Sequence, residues 1–342
     1  MISSRHFGKL PDGREITAFT LFNSRGLKTE IITLGGIITQ LQVPDRDGNL
    51  GDVVCGFYRL EDYVAGHPFF GAITGRVAGR LTHGTFEIDG ERFKLALTDP
   101  PNHLHGGHVG FDKRVWDSDI LGETLRLSYL SPDGEEGYPG NLAVSVDYTL
   151  TDADELSITY TATTDKPTTF NPTNHSYFNL AGDRSSSILD HRLQIFSDEF
   201  VPADNKMTLL GRREDVAGSA NDFRQLHRIG DAIPDLHLQH GVNYLLRHDH
   251  SPTPILAARL EDPVSGRAME IFTTERCLQL YCGTALDGTL VGKSGLPYVQ
   301  HSALCLECQG YPDGANTSDF GSTILRPGET YHQTTIHRFS TL

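Results

Sequence analysis

The segment from Leu142 to Leu150 constrains this chain most. Leu142, Val144, Val146, Tyr148 and Leu150 occupy every second position. That period fits a strand, whose successive side chains point to opposite faces; a helix would scatter these residues around its axis. Leu156, Ile158 and Tyr160 repeat the pattern just beyond the polar turn Thr151-Asp-Ala-Asp-Glu155. Leu125, Leu127 and Tyr129 show it upstream, across the turn-rich loop Ser131 to Gly140. Three alternating runs with short polar connections predict an antiparallel meander.

The rest of the chain extends the β reading. Ile16, Ala18 and Thr20 alternate before a turn at Asn23-Ser-Arg-Gly26. Leu27 to Val43 is a β-branched run broken at Gly35-Gly36, which predicts a bend or bulge, and Asp47-Gly48 marks the next turn. Thr85 to Leu97 reads as a hairpin, with Phe86 and Ile88 on one arm and Phe93, Leu95 and Leu97 on the other. Asp89-Gly90 supplies the two positive-φ residues of its type I′ turn. Helical signals are few, the clearest being a turn or two at Leu60 to Val64. With 35 Gly and 17 Pro, the expectation is an all-β chain, a large antiparallel sandwich or barrel with few short helices. No linker or composition shift divides it, so residues 1–342 are expected to form a single domain.

A net charge of -15 argues against nucleic acid and anionic membranes, which attract basic surfaces. No window approaches the ~20 apolar residues of a membrane helix, and the N-terminus lacks a secretory core. Five cysteines, Cys55, Cys277, Cys282, Cys305 and Cys308, form no disulfide framework, which suits a reducing compartment. The expectation is a soluble cytoplasmic protein. Cys305-x-x-Cys308 looks like half a zinc site, but on a strand the two side chains would face opposite ways.

Two stretches carry the chemistry. Asn171-Pro-Thr-Asn-His-Ser-Tyr-Phe-Asn-Leu-Ala-Gly182 surrounds His175 with amides and hydroxyls, an array suited to a polyhydroxylated ligand. Ser302 to Asn316 places Glu307 inside an apolar, strand-like run, where a carboxylate is out of place without a job or a cationic partner. Read together they offer His175 as acid and Glu307 as base. Asp313 reads most simply as a turn residue, so the carboxylate pair of a glycosidase is poorly matched. Opening a cyclic hemiacetal suits an acid–base pair better: one proton leaves the anomeric hydroxyl and another reaches the ring oxygen. No cofactor is needed.

Two weaker motifs accompany them. Gly75-Arg-Val-Ala-Gly-Arg80 sets two arginines four apart, either surface charges or guanidinium donors to sugar oxygens. Asn102-His-Leu-His-Gly-Gly-His108 sets His103 and His105 two apart. That spacing could serve a metal, but Gly106, Gly107, His108 and Val109 stand where a third, carboxylate ligand belongs. One ligand-facing histidine with the other packed is the preferred reading, and no metal is expected.

In these motifs the chain resembles the aldose 1-epimerase, or galactose mutarotase, family from about Ile31 to near the C-terminus. The resemblance also covers Gly71 to Arg80, Gly110-Phe-Asp-Lys113 with Trp116, Ser131 to Leu142, and Leu278-Gln-Leu-Tyr-Cys-Gly283. It implies a large β-sandwich of the mutarotase type that interconverts the anomers of free aldoses, such as galactose or glucose, as a monomer or homodimer. It gives Glu307 the O1 proton and His175 the ring oxygen. His105, Arg80, Gln279, Ser176 and Tyr177 match sugar-lining positions. Two departures stand out. Gly79 replaces the asparagine common before the cleft arginine. The family's Asp-His-Asn-aromatic motif is missing from Leu236 to Arg247, where either Gly241 or Asn243 takes the place of its aspartate, with Asp235 and His240 nearby. The sugar preference is therefore open. A non-catalytic sugar-binding protein on the same scaffold and a metal enzyme using His103 and His105 are the alternatives.

Overall fold

The computed structural model describes residues 1–185, 187–233, 241–317 and 319–342. The predicted meander is the spine of its largest sheet. Asp117–Leu121, Thr124–Ser131, Leu142–Leu150 and Glu155–Thr164 pair in succession, all antiparallel. Leu127 sits opposite Val146, and Val146 opposite Tyr160, so the alternating apolar residues share one buried face. The C-terminal strand Tyr331–Thr341 adds to Glu155–Thr164, and four further strands complete a nine-stranded sheet.

Two five-stranded antiparallel sheets accompany it. One is N-terminal, built in chain order from Ile2–Lys9 to Leu50–Asp52. The other runs in the order Glu214–Asp215, Ser197–Val201, Val242–Leu246, Cys277–Tyr281, Cys305–Gln309. One apolar core joins all three, drawing Phe19 and Leu21 from the N-terminal sheet, Val146 and Tyr148 from the large one, and Leu278 and Leu306 from the third. This is an all-β sandwich with layers packed face to face. Among the described residues the α-helices are the short Leu60–Ala65 and Ile229–Ala232, and no helix is long and apolar enough to cross a membrane.

The predicted turns follow their residues. Asn23 Oδ1 accepts the N–H groups of Arg25 and Leu27. Gly35 and Gly36 both have positive φ, and a Cβ on Gly35 would lie 2.2 Å from the Asp112 carbonyl, so only glycine passes there. The hairpin pairs Thr85–Ile88 with Glu91–Lys94 across Asp89-Gly90. One detail differs. The second arm stops at Lys94, so Leu97 leaves the expected inner face and is 48% exposed. The strand Cys305–Gln309 gives Leu306 and Cys308 to the common core and turns Cys305 away into a second cluster. The two sulfurs of Cys-x-x-Cys are thus on opposite faces, as strand geometry requires. All five cysteines are buried and unpaired by disulfides.

Candidate active site

The third sheet builds one wall of a cleft of about 140 Å³. Val201 pairs with Asn243, Asn243 with Gln279, and Gln279 with Glu307. Register therefore lines up four side chains on one sheet face, all in the cleft wall. Glu307 is 3% exposed, and its Oε2 has no hydrogen-bond partner among the described residues. Asn243 donates through Nδ2 to Gln279 Oε1 at 3.1 Å, and its own Oδ1 has no partner among the described residues. Unpaired polar atoms in a buried wall are costly; here they face the space a ligand would fill.

His175 meets this wall from the next strand pairing. Its backbone N–H bonds to the Ala72 carbonyl, and its carbonyl accepts the Gly71 N–H. The ring stacks near Tyr177, at 5.1 Å between centroids, and lies under Phe69 at 5.6 Å. Nε2 is 3.7 Å from Glu307 Oε1. Burial acts on both groups. It pushes the Glu307 carboxyl up to about 8, with Arg80 pulling the other way, and the His175 imidazole down to about 4, because each charged form loses hydration.

His105 completes the ring cluster, 5.0 Å from His175 between centroids. It has positive φ and is followed by Gly106, where a Cβ would sit 1.7 Å from the Gly75 carbonyl oxygen. Gly106 thus lets this loop pass against Gly75, and Gly107 leaves room for the Glu136 carboxylate, which a Cβ would meet at 2.2 Å. Gly79 N–H donates to His105 Nδ1 at 3.2 Å. A neutral imidazole that accepts at Nδ1 carries its proton on Nε2, so His105 presents a donor. His103 is the packed partner: Tyr138 hydroxyl meets its Nε2 at 2.7 Å and its Nδ1 meets the Ala96 carbonyl at 2.8 Å.

The two arginines also part. Arg76 is buried, with its guanidinium bonded to the carbonyls of Ser131, Pro132, Pro139 and Gly140; it holds the 131–140 loop. Arg80 lines the cleft and ties its Nε to Asp99 at 2.6 Å.

The polar array around His175 differs from its expected use. Only His175 and Tyr177 of that stretch line the cleft. Asn171 clamps the backbone of Gly310 through both N–H and C=O, Asn179 donates to Ser302 O, and Thr173 donates to Cys308 O. Ser176 gives its hydroxyl to Asn174 Oδ1 at 2.6 Å and stays outside the cleft lining. These amides and hydroxyls fasten the His175 segment to the Glu307 strand, and a backbone that must be pinned needs the same residue types as a sugar.

Gly241 and Asn243 both reach the cleft wall. Gly241, at φ +109, offers no side chain, and a Cβ there would meet Gln279 Nε2 at 2.4 Å. Asn243 therefore supplies the acceptor on this side. Asp235 and His240 lie outside the described residues. Sequence reasoning missed the apolar wall: Phe69, Val201, Ala203, Met207, Leu209 and Pro312. They come from separate loops and strand ends and share no spacing that could have marked them.

The metal alternative fares differently from its sequence form. His103 is consumed by packing. Ligand atoms of His105, His175 and Glu307 do lie within 4.8 Å of one another. Ligation through His105 Nε2 would need its lone pair there and a proton on Nδ1, opposing the Gly79 N–H. The hydrogen bonding of His105 is unsuited to holding an ion.

Fold and site together define a class: an antiparallel β-sandwich with a buried carboxylate–imidazole pair at the base of a small cleft ringed by hydrogen-bonding groups. The chain belongs to the aldose 1-epimerase family, whose model matches residues 17–338. It is 44% identical to the galactose mutarotase of Homo sapiens over 98% of this chain and 97% of that one. It is 34% identical to the aldose 1-epimerase of Escherichia coli strain K12 over 96% of each. Among solved structures, the galactose 1-epimerase of Lactobacillus acidophilus superposes with a TM-score of 0.86 at 28% identity, spanning 100% of this chain and 99% of that one.

Proposed function

We propose that the protein interconverts the α and β anomers of free aldoses, galactose and glucose among them, with Glu307 as base and His175 as acid. The observation that carries this reading is the 3.7 Å approach of His175 Nε2 to Glu307 Oε1 at the cleft base. The Glu307 carboxylate takes the O1 proton. The C1–O5 bond breaks as C1=O1 forms, and the ring oxygen receives the His175 proton. The open aldehyde turns about C1–C2. Reclosure on the other face returns one proton from Glu307 to O1 and one from the C5 hydroxyl to His175. Arg80, the His105 Nε2–H, Gln279 and the free Oδ1 of Asn243 hold the hydroxyls, and Tyr177 braces the acid. Positioned acid–base groups of this kind contribute roughly 10²–10⁴-fold per proton transfer.

A neutral sugar suits the cleft. Among the described residues its lining carries one permanent cation, Arg80, already engaged with Asp99. The buried thiols, unpaired by disulfides, fit a reducing cytoplasm, where the protein would act as a monomer or homodimer. Polarimetry on freshly dissolved α-galactose, α-glucose, arabinose and xylose tests the reading. Acceleration above the spontaneous rate for at least one sugar is expected. Saturable binding with no acceleration for any would replace the enzyme by a sugar-binding protein.

A further inference from the structure

We propose that Met207 is a specificity-determining residue: it closes the end of the cleft away from the acid–base pair with an apolar stop, and so favours aldoses whose O4 is axial, such as galactose, over those whose O4 is equatorial, such as glucose. The inference rests on the roles of Glu307 and His175 given above, to which it adds the determinant of sugar choice.

Two walls run away from the pair. On one, the row Glu307, Gln279, Asn243, Val201 crosses three strand spacings, which places Val201 about 14 Å from Glu307. On the other, the strand His103–Leu104 leads back from His105 to Asn102 and pairs with Arg80–Leu81. A short hairpin joins the two far ends. It leaves the third sheet after Val201 and pairs Ala203 with Leu209. Its turn forms around the Asp204 carboxylate, which accepts the N–H groups of Lys206 and Thr208. The buried Asn102 fastens the tip to the opposite wall, donating to the Lys206 carbonyl at 3.1 Å and accepting the Thr208 hydroxyl at 3.3 Å.

Met207 sits at this tip with φ +62. Left-handed backbone is rare for a long side chain and persists only where the surrounding structure imposes it; here the Asp204 and Asn102 bonds on both sides of Met207 impose it. In that conformation Met207 belongs to the cleft lining. Among the described residues, the lining at this end is Val201, Ala203, Met207 and Leu209, four side chains without a hydrogen-bonding group. Gln279 and Asn243 stand between them and the pair. The sugar is oriented by its chemistry. With O1 at Glu307 and O5 at His175, C4 lies across the ring from C1 and faces the hairpin. An equatorial O4 continues the line from C1 through C4 into the apolar stop, where it gives up water and gains no partner, an unfavourable exchange. An axial O4 leaves that line and clears the stop.

The test compares kcat/KM across sugars by magnetisation-transfer NMR on equilibrated anomers. Galactose and L-arabinose, with axial O4, should exceed glucose and xylose, with equatorial O4, by roughly tenfold, the scale on which an apolar site discriminates against one hydroxyl. 4-Deoxyglucose, which lacks that hydroxyl, should also exceed glucose. Met207→Gln keeps the length of the side chain and adds hydrogen-bonding groups, so it should bring galactose and glucose to within about twofold of each other. Met207→Leu, still apolar, should keep the wild-type preference. A wild-type protein that does not favour axial O4, or a folded Met207→Gln protein with the wild-type ratio, overturns the proposal. If Met207→Gln does not fold, the wild-type ranking and 4-deoxyglucose still decide. Calorimetric Kd values for the same sugars should follow the same order without turnover. Absence of acceleration with every sugar would therefore refute the proposed function, and the Kd order would test Met207 separately.

Discussion

Burial works in opposite directions on Glu307 and His175, and the outcome is a shared proton. With the carboxyl pushed up to about 8 and the imidazole down to about 4, the pair holds one proton between those limits, resting on Glu307. The working form, carboxylate with imidazolium, has the same proton count. Sugar hydroxyls that bond to the charged groups favour that rearrangement without exchange with solvent. The pH dependence follows. Above about 8 the pair loses its proton and His175 has none to give; below about 4 it gains a second and Glu307 can take none. After subtraction of the spontaneous rate, kcat/KM should be level from pH 5 to 7 and fall above about 8, its limbs belonging to the pair rather than to either residue. Arg80, His105, Tyr177 and Cys305 surround the pair, and burial pushes the His105 imidazole well below its ordinary range. A kcat/KM that rises steadily from pH 7 to 9.5 would contradict this account of the proton.

At the scale of elements, the site depends on three pieces held at close range: the strand Cys305–Gln309, the His175 segment clamped to it through Asn171 and Thr173, and the loop carrying His105. The loop has the least freedom, because Gly106 passes Gly75 with no room for a Cβ. Gly106→Ala should displace His105, raising KM at least about tenfold and destabilising the fold by roughly 1–3 kcal/mol; calorimetry and saturation kinetics check both. The elements also show what could be read from sequence and what could not. The Leu142–Leu150 alternation, the Asp89-Gly90 turn and the Gly35-Gly36 bend were legible because strand period and positive-φ residues are local properties. Glu307 was legible because a carboxylate in an apolar strand is conspicuous. Ser176 and Asn171 misled because pinning a backbone and binding a sugar draw on the same residue types. The row Val201–Asn243–Gln279–Glu307 depends on register between strands distant in sequence, which no local pattern carries.

Across the whole molecule, three sheets share one core, and the cleft lies where the third sheet's outer face meets the loops from Pro68 to His105. The large sheet and the N-terminal sheet contribute stability and rigidity, while the third gives the ligand-facing row. That division separates the framework from the cleft lining, where Gly79 and Gly241 lie. The central claim is that Glu307 and His175 perform the proton transfers. Its most direct test is the mutarotation rate of the best sugar with wild-type protein and with Glu307→Gln, which removes the base and keeps the shape. Acceleration by the wild type and a loss of at least about 10²-fold in a folded Glu307→Gln protein is the predicted result. A folded Glu307→Gln protein that matches the wild-type rate would contradict it.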